Sequence, residues 1–245
     1  MHHAPEAPAR RRGQRRRAHL AALALALALP LATAQELDVT TVLDNVTAAA
    51  RALDDASFLL TGKLVDTDGT TITLEIEIEV VPPESLARAY IVQPDALADN
   101  EIVLDGAAVY NYTFLTNQVM IFDADDPDAL GGLLPKGEDG ASAEISFDLG
   151  AIFAGYDAKL VDVEAGEAGD VYVVNFTNKD QTAQILDVRA RIAASDWLPR
   201  QLVFIQKDGH VLAELNAENL MLDQGLDPAE VRHLPDDAEV IDNRH

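Results

Sequence analysis

The sequence predicts a mainly β chain of the α+β class: one wide antiparallel sheet with a few helices laid on its dry face. Three observations predict it. Residues 71–81 alternate strictly, with Ile72, Leu74, Ile76, Ile78 and Val80 on one side and Thr73, Glu75, Glu77 and Glu79 on the other. That period of two marks a strand with one dry and one wet face. An all-parallel sheet, covered on both sides, would not carry three glutamates along one face. Finally, strand-type runs recur about every 8–12 residues with no long helix between them, the spacing of a sandwich or barrel.

Taken in order, residues 1–34 read as a secretory signal. Arg10, Arg11, Arg12, Arg15, Arg16 and Arg17 form a basic region, Leu20 to Leu31 an apolar run, and Ala32-Thr33-Ala34 a small-residue cleavage site. Export and cleavage before Gln35 are expected, leaving 35–245 as a single domain. The apolar run is too short to span a bilayer, which takes about 20 residues.

Residues 38–56 switch to helical period. Val39, Val42, Leu43, Val46, Ala50 and Leu53 share a stripe, and Asp38 is placed to cap it. Strands are predicted at Phe58–Val65, Thr71–Val81, Leu86–Val92, Ile102–Leu104, Ala107–Phe114 and Gln118–Phe122. Asp66-Thr67-Asp68-Gly69 gives a hairpin turn between the first two. Five more follow at Lys159–Val163, Val171–Asn175, Ile185–Ile192, Gln201–Gln206 and Val211–Leu215.

Two short helical patterns interrupt the strands. In one, Pro127 follows the cap Asp126, and Leu130, Leu133 and Leu134 share a face around Gly131-Gly132. In the other, Leu149, Ile152, Phe153 and Tyr156 follow Asp148. Both are too short to fold alone. The tail, with Asp227-Pro228 and Pro235-Asp236-Asp237, is expected to be an edge segment or partly disordered.

Composition excludes several chemistries. There is no cysteine and the net charge is −24. Residues 1–34 hold six arginines and one acid, so the remainder has 12 basic and 41 acidic residues, a net charge of −29. Such a field repels nucleic acid and anionic membranes. Beyond residue 34 the histidines are His210, His233 and His245, and no pair has metal-ligand spacing. Asp123, Asp125, Asp126 and Asp128 suggest a calcium loop, but the twelfth position is Leu134, where such a loop needs a bidentate glutamate. No nucleophile elbow or phosphate-binding glycine loop appears. No catalytic residue and no cofactor is expected, so the apolar face itself becomes the candidate site. A half-curled sheet under small helices suits an apolar ligand, although alternation alone does not separate a cavity wall from an ordinary core.

One stretch carries a resemblance. Gln93-Pro94-Asp95, Ile102-Val103-Leu104-Asp105-Gly106, Val109-Tyr110-Asn111-Tyr112 and Gln118-Val119 occur in that order. Leu234-Pro235 to Glu239-Val240 follow near the end. Together they resemble the bacterial outer-membrane lipoprotein carrier family (LolA-like). The resemblance implies an unclosed antiparallel half-barrel, here of about eleven strands, with a helical lid. It implies a cavity lined by Ile72, Leu74, Ile76, Ile78 and Val80, under a lid bearing Leu43, Val46, Leu130, Leu133, Leu134, Leu149, Ile152 and Phe153. It further implies a monomeric periplasmic carrier of lipoprotein acyl chains, loaded by an inner-membrane release machine and unloaded on an outer-membrane acceptor. The family arginine before the proline that follows the second long strand is absent, since Pro82-Pro83 stands there. Two other functions fit a similar half-barrel: a carrier of free lipid or glycolipid, and a lipid-sensing envelope-stress regulator with an inner-membrane partner.

Overall fold

The computed structural model describes residues 38–65, 69–126, 129, 146–166 and 169–244. These all fall within one unit, Leu37–His245. Residues 1–34, read from the sequence as a secretory signal with Ala32 and Ala34 at its cleavage site, and the leucines Leu130, Leu133 and Leu134 lie outside the described residues.

The described residues open with helix α1 (Val39–Ala52), whose cap Asp38 accepts from the Thr41 amide at 2.8 Å. Six strands follow: β1 (Ala56–Val65), β2 (Thr71–Val81), β3 (Leu86–Gln93), β4 (Glu101–Asp105), β5 (Ala108–Thr113) and β6 (Gln118–Asp123). After α2 (Leu149–Ile152) come β7 (Tyr156–Gly166), β8 (Gly169–Asn178), β9 (Ile185–Ala193), β10 (Pro199–Gln206) and β11 (Val211–Leu222). The chain closes with α3 (Pro228–Val231) and β12 (Glu239–Asp242).

All twelve strands form one sheet in the order β12-β6-β5-β4-β3-β2-β1-β11-β10-β9-β8-β7. Two antiparallel meanders, β1 to β6 and β7 to β11, join where β1 pairs with β11. The sheet does not close into a barrel, and the unclosed half-barrel is the observed architecture. Among the described residues there is one strand more than the eleven expected. It is β12, which adds to the β6 edge in parallel, Val240 opposite Val119.

The helical pattern around residue 149 is shorter than its spacing suggested. Only Leu149–Ile152 are helical, and Tyr156 begins β7. The tail is neither disordered nor only an edge. Asp55, buried at the start of β1, accepts the backbone N–H groups of Gln224 (2.8 Å), Gly225 (2.7 Å) and Leu226 (3.2 Å). This ties down the turn after β11. Residues 226–238 then cross the outer face of the sheet, where Val231, Leu226 and Leu234 cover Val81, Leu86 and Val103. Arg232 fastens the crossing through Asp105 (3.0 Å) and Glu84 (2.7 Å).

Candidate apolar trough

Strand alternation sends Phe58, Leu60 and Leu64 of β1 to the same face as Ile78, Ile76 and Ile72, their partners on β2. On the other side of β1, Leu60 and Gly62 face Ala217 and Leu215 of β11, and Leu215 faces Leu202 of β10. This inner face carries two buried clusters. The first joins Ile76, Ile78 and Val80 to Ala87, Ala89 and Ile102, closed over by Leu53 at the end of α1 and by Phe147. The Phe58 and Phe147 rings meet there at 5.5 Å. The second joins Val174, Phe176, Val188 and Ile192 to Val42 and Val46 of α1 and to Leu149 and Phe153 beside α2. Phe153 lies 4.7 Å from Phe176, ring to ring.

Between the clusters runs a strip of different character. On β1 only Ala56 is buried, and on β10 only Pro199. Phe58, Leu60, Leu64, Leu202, Phe204 and Leu215 are all half-buried. The middle strands of a twelve-stranded sheet should be the driest if the face were a filled core, because the flanks shelter them. Here β1 and β10 bury one residue each and β11 only Leu212 and Ala213, whereas the flanking strands are largely buried. The inner face thus has two packed flanks and between them a less buried apolar strip, the candidate trough.

The expected cavity residues divide accordingly. Leu74, Ile76, Ile78 and Val80 are between 2% and 8% exposed, in the packed wall, whereas Ile72 is half-buried beside Leu64. Of the expected lid residues, Val46, Leu149 and Phe153 are buried, Leu43 is half-buried against the second cluster, and Ile152 is 45% exposed. The half-buried residues of β1, β10 and β11 were not singled out from the sequence. Their runs, such as Phe58-Leu59-Leu60 and Leu202-Val203-Phe204-Ile205, are apolar on both faces, so alternation gives no direction.

Chemistry beyond apolar contact is sparse here. Among the described residues no group of His, Asp or Glu side chains is placed to hold a metal ion, and no helix is long and apolar enough to cross a membrane. At the trough's β8–β9 end the ring of Trp197 stacks on Tyr172, with centroids 5.1 Å apart and planes 8° from parallel.

No family model matches the chain, and no curated protein matches it. Solved structures do. An uncharacterized conserved protein from Thermus thermophilus is 19% identical over 83% of this chain and 98% of its own, with a TM-score of 0.59. MucB of Pseudomonas aeruginosa, solved in complex with MucA, is 16% identical over 82% of this chain, with a TM-score of 0.50. This chain spans only 62% of MucB. A LolA superfamily protein from Nitrosomonas europaea is 13% identical over 82% of this chain and 96% of its own, with a TM-score of 0.38. At such identities the likeness is one of fold, and it is carried by the Thermus protein and MucB.

Proposed function

We propose that this protein is a periplasmic carrier that shields the acyl chains of lipoproteins in its trough and ferries them toward the outer membrane. The observation that supports this most is the half-buried apolar strip of β1, β10 and β11, flanked by buried clusters and bridged by α1. Acyl chains laid along Phe58, Leu60, Leu202 and Phe204 would complete the burial that the protein leaves unfinished. Each methylene removed from water contributes about 0.8 kcal/mol, so a lipid anchor does not leave a membrane unaided at a useful rate. A carrier therefore takes its cargo from an energised donor in the inner membrane and yields it to an acceptor that holds it better. On this reading residues 1–34 direct export, residues 35–245 act as a monomer, and the chain binds without catalysing.

Trp197 is the single tryptophan of the chain and packs beside the second cluster, so it reports on the trough directly. A lipopeptide with brominated acyl chains should quench its fluorescence, and the unbrominated lipopeptide should restore it. Protein recovered from the periplasm should carry acyl-chain mass in native mass spectrometry. Absence of both signals would overturn the reading.

A further inference from the structure

The outer face of the sheet carries a concavity of its own, on the side that the proposed cargo does not use. It encloses about 500 Å³ where β11, β1, β2 and β3 run side by side, and Leu59, Met221, Tyr90, Glu77, Glu79 and Arg88 bound it. Its origin is a local irregularity. The pairing of β1 with β11 shifts register between Ser57 and Leu59, and Asn219 opposite takes a left-handed φ of 53°. A bulge of this kind bends one strand away from its neighbour and leaves a dimple.

The dimple has a mixed lining, apolar at Leu59 and Met221, and an acidic rim. Met221 is 55% exposed and Leu59 is half-buried, beside Glu77 and Glu79 of β2. Arg88, the cation of the site, is already engaged by Glu101 at 2.6 Å and faces Glu79 at 4.0 Å. Glu77 is exposed and has no ion pair among the described residues. Lys63, further along β1, is exposed and faces Thr73 and Glu214. The unbalanced charge of the site is thus negative and lies next to exposed apolar surface.

We propose that this dimple docks a basic peptide segment of a partner protein, with an apolar side chain between Leu59 and Met221 and a lysine or arginine on Glu77. Charge selects this occupant. A second copy of a chain with net charge −24 would bring like charge to like, and an anionic headgroup or a nucleic acid would be repelled in the same way. A basic segment is drawn in, and its aliphatic or aromatic side chain covers Met221. Docking here leaves the trough on the opposite face free, so a partner could hold the protein while cargo enters or leaves.

The test uses the full chain and a fluorescein-labelled peptide of alternating lysine and leucine, read by fluorescence anisotropy. The double variant E77K/M221D changes only exposed side chains, so its melting temperature should match wild type. Its affinity for the peptide should fall at least tenfold, about 1.4 kcal/mol. Raising the salt should weaken wild-type binding, and the same peptide with glutamate for lysine should not bind. Saturating oleate should leave peptide binding unchanged. No saturable binding by the wild type, or equal affinity in E77K/M221D, would overturn the proposal. Displacement of the peptide by oleate would also overturn it, by placing the peptide in the trough. The E77K/M221D comparison stands whether or not oleate itself binds, so this test fails separately from the carrier reading.

Discussion

The hydroxyl of Thr47 donates to Oδ1 of Asp148 at 2.8 Å, and the same oxygen accepts from the amide of Ala151 at 3.2 Å. One oxygen thus starts α2 and joins it to α1. A Cβ on Gly150 would lie 3.3 Å from that oxygen, in the cap of its own helix, and at an ordinary contact distance of 3.7 Å from the Thr47 hydroxyl. A four-residue helix has no stability of its own, so its position depends on this bond and on Leu149 and Phe153 beneath it.

Asp148→Ala should therefore free α2 without unfolding the sheet. Loss of an N-cap costs typically about 1 kcal/mol, and here it removes the tie to α1 as well. Amide exchange across 149–153 should speed up markedly while the β8 and β9 amides stay protected. Thr47→Val should give a smaller change in the same direction, because the cap itself survives.

Trough and wall respond differently to added volume. Ile76 is 8% exposed among Ile78, Ala89 and Ile102, so Ile76→Trp should overpack and cost typically about 1–3 kcal/mol. Leu60, its neighbour on β1, is half-buried and faces the trough. Leu60→Trp should melt near wild type yet lose binding of a fluorescent fatty-acid probe, because the ring takes acyl-chain volume. Equal melting losses in both variants would show a filled core at Leu60.

Gly62 is required where the two meanders join. A Cβ there would stand 2.2 Å from the backbone oxygen of Glu214 and 2.9 Å from the Leu215 side chain. The oxygen cannot swing away as a side chain can. Gly62→Ala should lower the melting temperature by an amount typical of overpacking, about 1–3 kcal/mol, while Thr61→Ala beside it should change little.

On the outer face, Tyr90 donates its hydroxyl to Asp99 at 2.5 Å. That bond, helped by partial burial and the nearby charges of Asp99, Glu101 and Glu77, raises the phenol above its ordinary value of 10.0. A group with a raised folded-state pKa contributes stability that is full below the unfolded value. It is lost as pH rises through the folded value. The bond should therefore hold at neutral pH and fail only in strong alkali. Ultraviolet titration of wild type against Tyr90→Phe should show Tyr90 ionising late, and Asp99→Asn should bring it down toward 10.0.

Much of this architecture is legible in residue order, because alternation and turn chemistry are local. The dry side of 71–81, the cap at Asp38 and the turn at Asp105-Gly106, where Gly106 takes φ 61°, all follow from near neighbours. What was missed depends on distant ones. Glu239-Val240-Ile241-Asp242 has no hairpin signal, because its partner β6 lies far earlier in the chain and runs parallel. Leu226, Val231 and Leu234 have neither strand nor helix period, yet each is used once the tail is laid over Leu86 and Val103. The trough is hidden for a related reason. Alternation tells which face of β1 or β2 is inward, but only the placement of α1 decides which strands it buries.

The pairing of β1 with β11 also sets when this molecule can be finished. Thr61 and Glu218, joined across that seam, are 157 positions apart, whereas every other antiparallel neighbour in the sheet is also a neighbour in sequence. Each meander can assemble locally, but the seam waits for the last long strand and must close a large loop to form. Folding rates fall as such distant contacts come to dominate. A chain emerging from its amino end thus presents the bare edge of β1 for most of its synthesis, an open template for wrong pairing. The edge that will hold the two meanders together is thus the one left unprotected longest, until the last long strand arrives.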